Sequence, residues 1–394
     1  MPGCFSSSAT NFGCFIISLN RKTKNPAKSG NNLDGEAIVT RLIPTISSRV
    51  IQLGSSFASL SSTDARYVRT KKINKIDRIA GQYAKTRNNQ FERINGIDYE
   101  TFKGEIINGY TIDAREPDPK RMISAYNSAS KTLNLIRGFW YGGYNTEEFI
   151  IESIKNQMFQ QFLEIEPNLF KEFDYKKISS SDFFISHEAL LLDYEYAFTR
   201  VDTTTGDIYN SSTHFLWLGE RTRSISSRQV EYLSMISNPI GIKVGPDFDG
   251  EELIQIIKKL NPKQEKGKIV LITRFGKEKV KEELSRLIKH VLSKFSFLVV
   301  ICDPMHGNTF EKNGYKTRHF DHLLSETKDF IQICQDNSIW PGGIHLELTP
   351  NRVTECLGGE FGCLVDDIKV KYETYIDPRL NGSQSLEFAM KIFK

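Results

Sequence analysis

From residue 183 to residue 348 the chain alternates short apolar runs with longer amphipathic stretches, and that alternation leaves few folds open. The clearest run is Lys268–Arg274, K-I-V-L-I-T-R, the pattern of a strand buried on both faces. A long helix with one charged face, 277–295, follows it. The same pairing recurs with strands at 183–188, 214–220, 240–244 and 298–301, followed by helices at 189–200, 226–237, 251–260 and 320–337. A last strand covers 343–348, and a further strand is read at 76–85, running into a loop. Regular strand–helix alternation implies a parallel sheet. This many units implies an eight-stranded (β/α)8 barrel, in which seven strands are legible and the first is not.

A chain of 394 residues with 39% hydrophobic and 25% charged residues can bury a large core. The net charge of +4 is spread among interspersed Lys, Arg, Asp and Glu, so nothing asks for nucleic acid. No apolar run reaches the roughly 18 residues that span a bilayer. Six cysteines without a C-x-x-C pair fit reduced, cytoplasmic surroundings. Residues 1–33 lack Asp and Glu and are Ser-rich, the composition of a disordered extension or, alternatively, of an organellar transit segment. Residues 34–394 are then one barrel domain with additional helices. Within it, 37–43 and 47–60 have helical spacing, and 86–120 read as an irregular lid or binding loop. Residues 121–139 and 147–166 read as helices joined at Gly142-Gly143.

In parallel barrels the reacting groups sit at the C-terminal strand ends. Here those ends carry Arg78, Glu188, Glu220 with Arg221, Lys243, Arg274, His306 and Glu347, with Asp377 in a later loop. Arg78, Lys85, Arg221, Lys243 and Arg274 are cations suited to phosphate and carboxylate groups. His306, Glu347 and Asp377 are donors suited to a divalent metal. Singly, each has a plainer reading: an arginine in a surface ion pair, His306 as a cap, His345 as a packed residue, His290, His319 and His322 as surface groups, Cys302, Cys334 and Cys356 as core thiols. The ring as a set argues for binding and polarising phosphorylated, carboxylated substrates.

The segments R-I-A-G-Q-Y-A-K (78–85), S-H-E-A-L-L-L (186–192), W-L-G-E-R-T-R (217–223), N-P-I-G-I-K-V-G-P (238–246), D-P-M-H-G-N-T (303–309), K-T-R (316–318), V-T-E-C-L-G-G (353–359) and D-P-R-L-N (377–381) occur in this order. They resemble the class II 3-deoxy-D-arabino-heptulosonate 7-phosphate (DAHP) synthases, over roughly residues 76–394, with the short phenazine-pathway-like members nearest in length. The resemblance implies a (β/α)8 barrel, a homodimer or higher homo-oligomer, and an aldol-like condensation of phosphoenolpyruvate with erythrose 4-phosphate that releases phosphate. It implies that Arg78, Glu220, Arg221, Lys243 and Arg274 hold phosphoenolpyruvate, that Trp217 lines its pocket, and that Lys316 and Arg318 face the sugar phosphate. Lys85, Lys243 and Glu188 are the implied catalytic groups. His306, Glu347 and Asp377 match three of four metal ligands, the metal being Mn2+, or Co2+ or Zn2+.

The fourth ligand in that family is a cysteine in G-G-D-C-A-E, a motif this sequence lacks. Gly54–Ser59 echoes it with Phe57 at the cysteine, and Cys14 precedes an apolar run. Asp77 stands for a glycine, Thr86-Arg87-Asn88 for Pro-Arg-Ser, Lys103-Gly104-Glu105 for Arg-Gly-Asp, and Ile376 for a cysteine. These departures leave two alternatives to an active DAHP synthase: a non-catalytic paralogue that keeps the phosphoenolpyruvate pocket, or a synthase for another aldehyde.

Overall fold

A computed structural model describes residues 13–17, 75–78, 82–87, 89–94, 96–139, 183–360 and 362–393. The helices expected at 37–43, 47–60 and 147–166 lie outside the described residues. Residues 13–17 form β1 (Gly13–Ile17), inside the stretch read as an extension. There follow β2 (Lys75–Asp77), the hairpin β3 (Phe91–Ile94) and β4 (Ile97–Glu100), α1 (Lys120–Phe139), β5 (Phe183–Glu188), α2 (Leu192–Ala197) and the hairpin β6 (Thr199–Val201) and β7 (Ile208–Asn210). After these come β8 (Phe215–Leu218), α3 (Arg228–Met235), β9 (Ile240–Val244), α4 (Gly250–Leu260), β10 (Ile269–Thr273) and α5 (Val280–His290). The chain continues with β11 (Val299–Cys302), the hairpin β12 (Phe310–Lys312) and β13 (Tyr315–Thr317), α6 (Phe320–Asp336), β14 (Pro341–Leu348) and α7 (Gly382–Phe393).

Parallel pairings run without a break from β2 through β5, β8, β9, β10 and β11 to β14, giving a curled parallel sheet in an α/β fold. β1 lies antiparallel to both β14 and β2 and closes the strand order into a ring. The expected uniform direction of all eight strands is therefore not met at β1. A strand of either direction can satisfy the N–H and C=O groups along the two free edges.

The segment read as a lid contains the β3–β4 hairpin, and the helix read at 189–200 is shortened to α2, because Thr199–Val201 pairs with Ile208–Asn210. The helix read at 277–295 is likewise α5 followed by a 3-10 turn at Leu292–Lys294.

Alternation along each strand divides the core into two layers. Phe215, Trp217, Val270, Ile272, Val299 and Ile301 form one cluster inside the curl. Their neighbours Leu216, Leu218, Ile240, Ile242, Leu271 and Val300 pack outward against the helices. α4 shows how the helices seat. Asp249 Oδ1 caps it by accepting from Glu251 N at 2.9 Å and Glu252 N at 3.0 Å. Leu253, Ile254, Ile256, Ile257 and Leu260 then bury its inner face, each contributing roughly 1.5–3 kcal/mol.

Candidate active site

A cavity of about 730 Å3 opens at the C-terminal strand ends, lined from β2, β5, β8, β9, β10, β14 and the loops that follow them. Among the residues singled out from sequence, Arg78, Lys85, Glu188, Trp217, Glu220, Arg221, Lys243, Arg274, His306, Lys316, Glu347 and Asp377 all line it.

The cationic side is built on strands. Lys243 is 6% exposed, on a strand whose five residues are all buried. Its Nζ pairs with the fully buried carboxylate of Asp303 and approaches the Trp217 ring at 6.0 Å. The Arg78 guanidinium sits over the rings of Tyr83, at 4.6 Å, and Trp217, at 5.1 Å. Arg274 donates from Nη2 to the carbonyl of His306 at 3.0 Å. Arg221 donates to Thr86 O at 2.9 Å, and Glu220 accepts from Gly245 N at 2.5 Å and from Arg223 at 2.7 Å. Burial raises the Glu188 carboxyl above its usual range, with Arg78 and Lys243 opposing.

The donor side gathers one atom each of His306, Glu347 and Asp377 within 4.8 Å of one another. His306 Nε2 lies 3.3 Å from Glu347 Oε1. Its Nδ1 faces Asp303, at 2.8 Å from Oδ2. A carboxylate on Nδ1 fixes the ring and leaves Nε2 as the free donor, the usual arrangement behind a metal-binding histidine. Burial lowers the His306 pKa, but Asp303 and Glu347 outweigh it and the net shift is upward. Glu347 is held well below the usual carboxylate range: burial opposes this, and Arg318 with His306 overcomes it. Asp377 also lies low, Lys85 overcoming burial. One imidazole nitrogen and two ionised carboxylates fit a divalent metal ion.

The structure departs from expectation at Arg318. It is fully buried, donates from Nη1 to Glu347 Oε2 at 2.7 Å and from Nε to Thr309 Oγ1 at 2.9 Å, and is absent from the cavity lining. It orients Glu347, whereas Lys316 is half-exposed on the cavity wall, 3.9 Å from Asp377. Alternation along β13 explains the burial of Thr317 beside exposed Lys316, and β13 ends before Arg318 turns inward.

Sequence reasoning missed Asp303, Tyr83 and Arg87, and gave His345 only a packing role. Asp303 serves both Lys243 and His306, and its three-residue spacing from His306 was the available signal. Tyr83 and His345 also line the cavity; burial, then Lys243, holds His345 well below the usual histidine range, as a neutral ring. Arg87 reaches the cavity from an irregular loop, and its available signal was the arginine of Thr86-Arg87-Asn88 standing where the resembled family has Pro-Arg-Ser. The register of β1 sets Cys14 opposite Glu347.

Comparison with known proteins follows the same residues. The profile of the Class-II DAHP synthetase family matches residues 60–393. A Streptomyces coelicolor phospho-2-dehydro-3-deoxyheptonate aldolase is 42% identical over 342 residues, 83% of this chain and 76% of that protein. A Neurospora crassa protein of the same name is 39% identical over 354 residues, 82% of this chain and 73% of that protein. The Mycolicibacterium smegmatis phospho-2-dehydro-3-deoxyheptonate aldolase AroG is 37% identical over 346 residues, 81% and 73% of the two chains. With its profile match running through all of the strand-end residues described above, the chain belongs to the class-II DAHP synthase family.

Proposed function

We propose that this chain is a DAHP synthase, condensing phosphoenolpyruvate with erythrose 4-phosphate in the first step of the shikimate pathway. The observation that carries the reading is one cavity with strand-borne cations on one side and the His306–Glu347–Asp377 group on the other. The curled sheet is read as a (β/α)8-type barrel with β1 in the remaining position.

Arg78, Lys243 and Arg274 neutralise the phosphate and carboxylate of phosphoenolpyruvate, Arg being able to bind two oxygens at once. Trp217 forms the apolar wall beneath them. Glu220, by holding Gly245 and Arg223, keeps the β8 and β9 ends in place, and Arg221 ties them to the Thr86 loop. Glu188 is a partly buried carboxyl on the cavity wall, its affinity for a proton raised by burial and opposed by Arg78. Lys85, paired with Asp377, lies toward the second substrate and is placed to deliver a proton as the aldehyde oxygen becomes a hydroxyl. Lys316 faces the sugar phosphate. His306, Glu347 and Asp377 would hold a divalent ion, Mn2+ before Co2+ or Zn2+, which would supply Lewis-acid polarisation of the aldehyde. The position of Cys14 opposite Glu347 makes it the first cysteine to test as a fourth ligand.

The test is product formation from both substrates after metal stripping, with Mn2+, Co2+ or Zn2+ restored, in the wild type and in Cys14→Ser. Metal-restored product is expected, with weaker Mn2+ binding in the variant. No product with any of the three ions, while phosphoenolpyruvate still binds, would overturn the catalytic reading.

A further inference from the structure

Glu326 is fully buried on α6, outside the cavity, and the chemistry above does not use it. Its two oxygens nevertheless serve both active-site loops. Oε1 accepts from Phe275 N at 3.0 Å and Gly276 N at 2.9 Å, in the turn that follows Arg274. Oε2 accepts from Asn308 Nδ2 at 2.6 Å, in the loop that carries His306.

Asn308 completes the link. Its Nδ2 also donates to Pro304 O at 2.8 Å, and its Oδ1 accepts from Lys277 N at 3.0 Å. The two loops meet without side chains between them: Gly276, at φ +81°, has room for no Cβ, which would lie 2.8 Å from Gly307 O. Arg274 then reaches across to the His306 carbonyl.

Three N–H donors converge on the two oxygens of one side chain, and only an acceptor at both ends satisfies them. Burial pushes the Glu326 carboxyl up to about 8, its hydrogen-bond donors opposing, so the ionised form that accepts at both oxygens carries a desolvation cost and predominates only above that pH.

We propose that Glu326 is a positioning residue for the condensation, fixing the Arg274 turn and the His306 loop against one another from behind the cavity. This rests on the reading of the site as a DAHP synthase. It makes phosphoenolpyruvate affinity and metal affinity depend on one carboxylate that touches neither. The side chains that contact substrate and metal are unaltered in its absence but lose their relative spacing, and a misplacement of about 1 Å costs on the order of 10²-fold.

The experiment compares wild type, Glu326→Gln and the double variant Glu326→Gln/Asn308→Asp. In the single variant the new amide N–H2 faces the Asn308 N–H2, two donors opposed; in the double variant the carboxylate introduced at position 308 accepts from it but gives up the donation to Pro304 O, so recovery is partial. Melting temperature, Mn2+ affinity by titration, and kcat with both KM values are measured above about pH 8, where Glu326 is ionised, and at a temperature where all three are folded. The single variant is expected to bind Mn2+ about tenfold more weakly and to raise the KM for phosphoenolpyruvate by a similar factor. Its KM for erythrose 4-phosphate is expected to change less than about twofold, and the double variant to recover at least about threefold in both affected quantities. Wild-type Mn2+ affinity and kinetics in Glu326→Gln, a change confined to melting temperature, or a loss the double variant leaves unrecovered would each overturn the proposal. Wild-type protein that forms no product would instead overturn the functional reading, while its Mn2+ titration would still report on Glu326.

Discussion

The two sides of the cavity are built differently. Lys243 and Arg274 stand on or just after strands β9 and β10, whose residues are all buried, and their backbones are fixed by parallel ladders on both sides. Lys85 and Arg87 stand on an irregular segment, held by Lys85 N to Lys103 O at 2.8 Å and Arg87 Nε to Phe102 O at 2.7 Å. Gly104 makes that contact feasible: at φ +114° it packs against Tyr83, and a Cβ there would lie 2.2 Å from the Tyr83 carbonyl. The difference separates a rigid half, where a cation's position is inherited from the sheet, from a half whose geometry depends on a few loop hydrogen bonds. Strand-borne groups are accordingly expected to be costly in both stability and turnover, and loop-borne groups mainly in turnover.

The largest effect is expected at Lys243. Lys243→Met removes a substrate cation and leaves buried Asp303 with His306 as its remaining side-chain partner, so unfolding free energy should drop by about 3 kcal/mol and turnover by on the order of 10²–10³-fold. Denaturant melts and steady-state kinetics check both; a variant of wild-type stability would break the comparison. Lys85→Met comes next. Its partner Asp377 keeps 12% side-chain exposure, against 0% for Asp303, so the stability loss should stay near 1–2 kcal/mol while turnover falls about 10–100-fold. Equal losses of stability in the two variants would show that the loop is as rigid as the strands.

The smallest effect on activity concerns His214, where the chain enters β8. Its Nδ1 accepts from Ile185 N at 3.2 Å, and burial, with Arg137 adding, pushes its pKa down to about 4. The unfolded chain, with a histidine pKa near 6.5, takes up the proton first as pH falls. Stability should therefore decline from about pH 6.5 to about pH 4, by at most about 1.4 kcal/mol per pH unit, and stop declining below that. His214→Phe should flatten this slope without changing turnover at neutral pH, as pH-dependent melts would read.

The parallel strands and the strand-end ring were legible in the sequence because both rest on local pattern. An apolar run bounded by polar residues marks a buried strand, and the first charged residue after it marks the cavity rim, as at Thr273-Arg274 and Leu346-Glu347. The three hairpins were not legible, since each strand is three or four residues long and is specified by its partner across the turn. The direction of β1 was not legible either: Gly13–Ile17 acquires it from the edges of β14 and β2.

Side-chain roles divide the same way. Sequence alone determined that Lys243, Arg274, His306 and Glu347 belong to one rim, because strand periodicity fixes which end of a strand faces which side. Only the tertiary structure decided that Asp303 serves Lys243 and His306 together, that Arg318 turns inward to Glu347, and that Glu326 bridges two loops. Those roles depend on distances between segments far apart in the chain, which a periodic pattern does not encode and packing does.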